Sequence, residues 1–265
     1  LYALPFLGLL AYRIRKSDTR SSQARWMAFG AGLILAPDMI SYHISMNFIG
    51  IGIATLIGNS QVILVTLVSW KLFGERPNPA ILFSLPVVML GLVLISGIAD
   101  ANPYGEDPMK GVLFGICTAI FYSAFLITFR ACNRGLAPVS SVQFDATAGA
   151  ALGMLILGIL PLSSLSVEPI DFQLTWPGHG WLILLAVLSQ VGGWLAVAYG
   201  LPRLPAAHTS FAILLQPVLT LLWGFLLLNQ DGHSTNQLFG MFLVLAAIAS
   251  VTIYGSTTGE EVGLE

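Results

Sequence analysis

Residues 26–72 run WMAFGAGLILAPDMISYHISMNFIGIGIATLIGNSQVILVTLVSWKL, and between Arg25 and Lys71 the single charged side chain is Asp38. A helix needs roughly 20 apolar residues to cross the hydrocarbon core of a bilayer. The stretch is too long for one span and too apolar for a soluble domain, so it must fold back, with the turn expected at Asn47 to Gly50. The run 180–228 has the same character, and its turn is expected at Leu201 to Pro205.

Outward from these two runs, apolar stretches bounded by charge place spans near 81–98, 109–130, 140–160 and 235–254. The long runs themselves divide into 26–47, 50–72, 180–200 and 205–228. The opening segment 1–12 is apolar and reads as the end of a truncated span. A transmembrane barrel would show alternating segments of about ten residues, whereas these runs are continuously apolar, so helices must satisfy the backbone. The expected fold is an all-α polytopic membrane protein. Composition agrees: 9% of residues are charged, 56% are hydrophobic and the mean hydropathy is +0.83, against about 25% charged in a soluble domain. A net charge of −2 supplies no basic field for nucleic acid. Cys117 and Cys132 suit neither a disulfide framework nor a thiolate metal site. His179 and His233 lack ligand spacing, so neither a metal nor a cofactor is expected.

Basic residues orient the chain. If alternate connections face the cytoplasm starting with 13–25, that side receives Arg13, Arg15, Lys16, Arg20, Arg25, Lys71, Arg76, Arg130, Arg134 and Arg203, and the other side only Lys110. This is the asymmetry that the positive-inside rule demands. The outer loops then carry Asp100, Glu106, Asp107, Glu168, Asp171 and Asp231, and the tail 255–265 is cytoplasmic.

A helix rises 1.5 Å per residue, so the bilayer midplane falls about eleven residues into a span. Asp38, Gln61, Gln190 and Gln216 lie near that depth on four different spans, with Tyr42, His43, Asn59, Thr118, Tyr122 and Trp194 within about two turns of it. Such helices should face a cavity. The spans 81–98 and 235–254 hold little beyond serine, threonine and small residues, and should face lipid, a neighbouring helix or the partner in a homodimer. A carboxylate at midplane costs several kcal/mol, and no intramembrane Lys or Arg neutralises Asp38, which follows Pro37. Asp38 is the candidate coupling residue, or binds a cationic group; the alternative is a neutral side chain bonded to a neighbouring helix. His43 sits too far round the helix to pair with it, and packing explains it more simply than coupling. Gln216 precedes Pro217, the broken-helix device expected near transporter sites. Ser140 and Gln143 read as a capping box, which makes Asp145 a helix-start carboxylate.

Shifting the sequence by 155 positions lays Trp26 on Trp181, Gln61 on Gln216, Leu64 on Leu219 and Leu72 on Leu227. The shift crosses five spans, an odd number, so the two copies insert in opposite orientations, an architecture of secondary transporters.

The stretch GIGIATLIGNSQVILVTLVSWKLFGERP from Gly50 to Pro77, the following LPVVMLGLVLIS, and LPRLPAAHTSFAILLQPVLTLLWGFLLL from Leu201 resemble EamA-type members of the drug/metabolite transporter superfamily. The resemblance implies ten helices in two inverted five-helix repeats, with the first helix and part of the second missing here. The repeats would be 1–98 and 109–254, followed by the tail. Asn229, Gln230 and Asp231 stand where the first repeat has Gly74, Glu75 and Arg76. The family implies transport of a small metabolite, often export, through a central cavity. Its expected contacts here are Asp38, Tyr42, Asn59, Gln61, Tyr122, Gln190, Trp194 and Gln216, in a bacterial inner membrane. No HExxH or GxSxG motif supports an intramembrane enzyme; a non-transporting scaffold is the third alternative.

Overall fold

A computed structural model describes residues 1–96, 107–133, 137–160, 173, 175–219, 222 and 235–254. Asp100, Glu106, Glu168, Asp171, residues Asn229 to Asp231 and the tail 255–265 lie outside them. The described residues form helices α1 (Ala3–Ile14), α2 (Ser22–Asn59), α3 (Gln61–Phe73), α4 (Pro79–Ile95), α5 (Pro108–Cys132), α6 (Val139–Gly158) and α7 (Gly178–Leu185). A π-helix (Ala186–Gly193) and α8 (Trp194–Gly200) follow, then α9 (Ala206–Ile213) and α10 (Thr235–Tyr254). There is no strand among the described residues. Among the described residues, five stretches are long and apolar enough to cross a membrane: Ser22–Phe73, Pro108–Cys132, Val139–Gly158, Gly178–Arg203 and Thr235–Tyr254. Shorter apolar helices run over Pro79–Ile95 and Ala206–Leu219.

The fold-back inside 26–72 occurs at Gly50, whose φ of 78° and ψ of 158° interrupt α2. Only glycine enters that region without strain, because it has no Cβ. The run 180–228 is interrupted by a 3-10 turn, Leu201–Arg203, ending in extended Leu204. Pro205 then starts α9, where its missing N–H leaves nothing unsatisfied.

The chain divides into two compact units, each drawn from both halves of the sequence. The first comprises 1–40 and 124–204. In it α2 and α6 approach until backbone meets backbone. A Cβ on Gly32 would overlap the Ala146 carbonyl, one on Gly149 the Phe29 carbonyl, and one on Gly153 would come 2.6 Å from Ala36 Cβ. Lipid tails are as apolar as leucine, so helices in a membrane gain by close van der Waals packing rather than by burial, and small residues permit it. Helix α1 packs on α6, where a Cβ on Gly8 would lie 3.3 Å from the Phe144 ring, and Ala3 and Leu7 bury with Ala186 and Val191.

The second unit holds the described parts of 41–123 and 205–263. Helices α4 and α10, the two expected to carry no polar site, pack on each other there. A Cβ on Gly91 would lie 2.9 Å from the Gly240 carbonyl and 2.8 Å from Val244. Their outer faces expose Phe83, Leu90, Phe239 and Phe242, the composition of a surface that lipid can solvate. Helix α3 packs on α9, and Val62, Phe211, Leu214 and Val218 share a core with Leu92 and Val244.

Candidate functional site

The helices that carry Asp38, Gln61, Gln190 and Gln216 are each irregular near them. In the first unit, Pro37 lies inside α2, immediately before Asp38, and leaves the carbonyl four residues earlier without its helical donor. Asp38 is 7% exposed. Gln190 lies in the eight-residue π-helix, where the Trp194 N–H reaches back to the Ser189 carbonyl. The Gly192–Gly193 pair at its end gives the backbone room to widen. In the second unit the helix breaks at Ser60: Ser60 Oγ donates to the Ile57 carbonyl at 2.6 Å, and Asn59 Nδ2 donates to the Thr55 carbonyl at 2.9 Å. These side chains compete for acceptors that the helical backbone would use. The matching break at Leu214, whose N–H turns to the Phe211 carbonyl at 3.0 Å, precedes Gln216 and Pro217.

These irregularities are paired by the 155-residue shift. It carries Pro37 onto Gly192 in the π-helix, and Ser60 to within one residue of the Leu214 break. Different chemistry produces each member of a pair, a proline against two glycines and side-chain acceptor theft against a proline. The shared outcome is an interrupted helix.

The sequence-selected residues divide between the units. Asp38, Gln190 and Trp194 belong to the first, and Tyr42, His43, Asn59, Gln61, Tyr122 and Gln216 to the second. Gln61 is fully buried, with 0% exposure, and neither its Nε2 nor its Oε1 has a hydrogen-bond partner among the described residues. Its backbone carbonyl lies 3.5 Å from Ser123 Oγ on α5. Tyr42 shares a 2.8 Å hydroxyl–hydroxyl hydrogen bond with Thr55 and meets His43 edge to face, 6.1 Å between centroids. His43 and Gln216 are exposed, and Tyr122 and Asn59 are half-buried.

Within the first unit, Gln190 and Trp194 line a cavity of about 320 Å³ together with Phe125, Gln143, Thr147 and Met154. Trp194 stands edge-on to Phe125 at 5.3 Å and to Phe129 at 6.2 Å, and the two phenylalanines stack at 5.2 Å. Gln143 was expected to cap its helix and does not. Pro138 is the N-cap and no side chain caps, so Val139 begins the helix and Gln143 falls in the second turn, out of reach of the free N–H groups. Its Nε2 donates instead to Thr147 Oγ1 at 3.2 Å, one turn along the same face.

Two ionic features brace the ends. Arg20 pairs with Asp18 at 2.9 Å and with Asp145 on α6 at 2.8 Å, and Arg25 reaches Asp18 at 3.4 Å. The Arg20 hydrogen bond holds the Asp18 carboxyl below the usual carboxylate range. Its stabilisation is therefore present above the ordinary carboxylate pKa and lost as pH falls through the lowered one. Arg130, 1% exposed at the end of α5, donates to the Leu201 carbonyl at 3.1 Å and the Leu204 carbonyl at 2.9 Å. It thereby satisfies acceptors that the end of a helix leaves open. In the second unit, Gly74 closes α3 in the left-handed conformation, φ 69°. Glu75 Oε2 then accepts from the Ala206 N–H at 3.0 Å, at the start of α9, where a carboxylate also meets the positive end of the helix dipole. No group of three or more His, Cys, Asp or Glu able to hold a metal occurs among the described residues.

Long apolar helices packed through small residues make this an all-α polytopic membrane protein. Residues 109–253 match the EamA-like transporter family, and the chain belongs to it. It is 27% identical to the "Uncharacterized transporter sll1319" of Synechocystis sp., over 94% of this chain and 76% of that protein. It is 25% identical to the "Uncharacterized transporter YcbK" of Bacillus subtilis, over 87% of this chain and 74% of that protein. A protein of known crystal structure shares the fold at a TM-score of 0.72 and 22% identity, covering 96% of this chain and 84% of that one. The protein is thus an integral membrane transporter of the EamA-like family, and its cargo class is a small-molecule solute.

Proposed function

We propose that the protein is a secondary transporter that exports a small organic solute by alternating access of its two inverted repeats, with Asp38 as the proton-coupling group. The carrying observation is the pairing of helix irregularities by the internal shift: open helices at midplane supply polar backbone where a solute crosses. Gln190 and Trp194 with Asp38 in the first unit, and Gln61, Gln216, Asn59, Tyr42 and Tyr122 in the second, are the candidate solute contacts. His43 is a weaker coupling candidate than Asp38, because it is exposed. The membrane is a bacterial inner membrane with the C-terminus in the cytoplasm, and the protein is not an enzyme. A homodimer and bound lipid fit the exposed apolar faces of α4 and α10.

The test is solute flux in sealed proteoliposomes with wild type and Gln61→Leu. Wild type should accumulate or release solute against its gradient when a pH gradient is imposed. Gln61→Leu should insert and melt at or above the wild-type temperature, since exchanging a buried, unpartnered amide for an apolar group is neutral or stabilising, yet transport at least tenfold more slowly. Absence of flux for every solute tried, with chemical conversion of one of them, would turn the assignment to an enzyme. Absence of both would leave a scaffold.

A further inference from the structure

The connection between α1 and α2 presents positive charge where an apolar helix face ends. We infer that it binds the headgroup of an anionic phospholipid, with Arg15, stacked on Tyr12, as the main phosphate-binding group and Arg13 and Lys16 beside it. The inference goes beyond transport and holds whatever solute is carried.

Residues 13–25 hold Arg13, Arg15, Lys16, Arg20 and Arg25 against a single carboxylate, Asp18. That carboxylate is withdrawn from the surface. Its side chain is 6% exposed, and it accepts from Arg20 Nε at 2.9 Å, Arg20 Nη2 at 3.0 Å and the Arg20 backbone N–H at 3.2 Å, with Arg25 at 3.4 Å. Asp145, the other acid near this connection, is also taken by Arg20. Arg13, Arg15 and Lys16, by contrast, are exposed and have no carboxylate partner among the described residues. A basic segment whose acid is already neutralised, next to a membrane helix, attracts anionic lipid rather than its own side chains.

Local structure places these cations. Helix α1 ends at Ile14 and a 3-10 turn, Arg15–Ser17, follows, with Ser17 Oγ donating to the Ile14 carbonyl at 2.7 Å. The Arg15 guanidinium carbon lies 3.8 Å from the centre of the exposed Tyr12 ring. Contact through the guanidinium face leaves its N–H edge free, and that edge can hold two phosphate oxygens at once. Phe6, Leu9 and Arg13 are spaced by three and seven residues, which sets them on one face of α1, and all three are exposed. Trp26 is exposed at the start of α2. Exposed tyrosine and tryptophan at helix ends belong to the boundary between hydrocarbon and headgroups. The anion at that depth is a lipid phosphate, whereas a soluble acidic partner would leave Phe6 and Leu9 uncovered. Arg203 also stacks on a tyrosine, 3.5 Å from the Tyr199 ring centre, but it donates to the Tyr199 carbonyl and its neighbours are Pro202 and Leu204, so the flanking cations are lacking there.

The experiment titrates the purified full chain, in an uncharged detergent, with phosphatidylglycerol or with phosphatidylcholine of equal chain length, and reads bound lipid by native mass spectrometry. Each cation near an anionic surface strengthens attraction about fivefold, so wild type should bind phosphatidylglycerol about tenfold or more tightly than phosphatidylcholine. Arg15→Gln with Lys16→Gln should lower phosphatidylglycerol affinity by about tenfold or more and leave phosphatidylcholine unchanged. Lys71→Gln with Arg76→Gln removes the same charge from the connection after α3 and should change the affinity by less than about twofold, because those cations lie outside the site. Arg15→Lys keeps the charge but loses the flat fork, and should weaken phosphatidylglycerol about two- to fivefold. All the exchanged side chains are exposed, so each variant should melt like wild type without lipid. Equal losses in the two double variants would reduce the effect to net charge and overturn the inference, as would equal affinity of wild type for the two lipids. Displacement of phosphatidylglycerol by an equal concentration of inorganic phosphate would also overturn it, by assigning the cluster to a small anion. None of these outcomes depends on flux, so failure of the lipid site and failure of the transport reading are told apart.

Discussion

A single carboxylate in a long apolar stretch is conspicuous, and the buried position of Asp38 sharpens the choice between proton coupling and packing. Asp38→Asn preserves shape and hydrogen-bonding capacity and removes only the titratable proton. It should therefore insert and melt like wild type and keep solute exchange, which needs no net proton movement, while losing accumulation driven by a pH gradient. Counterflow and gradient-driven flux measured side by side in proteoliposomes decide the matter, and unchanged pH dependence in the variant would make Asp38 a structural hydrogen-bonding residue. Asp38 and Gln61 could be selected from sequence because polar groups at that depth must be explained. Gln143 and Arg130 could not. Gln143 is near a helix start, where S-x-x-Q also fits a cap, and the decision was made by Pro138 setting the start at Val139. Arg130 resembled any cation at a cytoplasmic boundary, and its burial depends on carbonyls at Leu201 and Leu204, far away in sequence.

Helices in this protein are defined as much by where they fail as by where they run. The fold-back near Gly50 was legible because length alone forbids one span, and glycine marks where the backbone can enter the positive-φ region. The π-helix at Ala186–Gly193 was not legible, since in a continuously apolar run no change of hydrophobic period distinguishes a five-residue hydrogen-bond step from a four-residue one. Close helix packing was visible only as a scatter of glycines, and the structure separates those that matter from those that do not. Gly32 and Gly30 sit two residues apart on α2; a Cβ at Gly32 would strike the Ala146 carbonyl, while nothing lies within 4 Å of one at Gly30. Gly30→Ala should raise thermal stability, by up to about 1 kcal/mol from helix propensity. Gly32→Ala should lower it by about 1–3 kcal/mol, the cost of overpacking a tight contact. Melting in detergent checks both, and equal effects at the two positions would contradict the α2–α6 packing.

At the scale of the whole molecule, the compact units cut across the sequence halves, with boundaries after Ile40 inside α2 and after Ser123 inside α5. Long helices permit this, because the two ends of one helix can pack against different neighbours. Ten of eleven basic residues fall on alternate connections of the expected spans, and one miscounted span would scatter them to both sides, so the charge pattern predicts an orientation. Chemical labelling tests that orientation. With Cys117 and Cys132 replaced by alanine, single cysteines placed at Ser21, Ser163 and Ser234 should divide cleanly. Ser21 precedes α2 among Arg13, Arg15, Lys16, Arg20 and Arg25, and should resist a membrane-impermeant maleimide in intact cells until the membrane is permeabilised. Ser163 and Ser234 follow an odd number of further spans and should react at once. Equal labelling of Ser21 and Ser163 in intact cells would mean that an even number of helices separates them. That outcome would remove the opposite orientation of the two repeats, and with it the expectation that Gln61 and Gln216 are inverted counterparts.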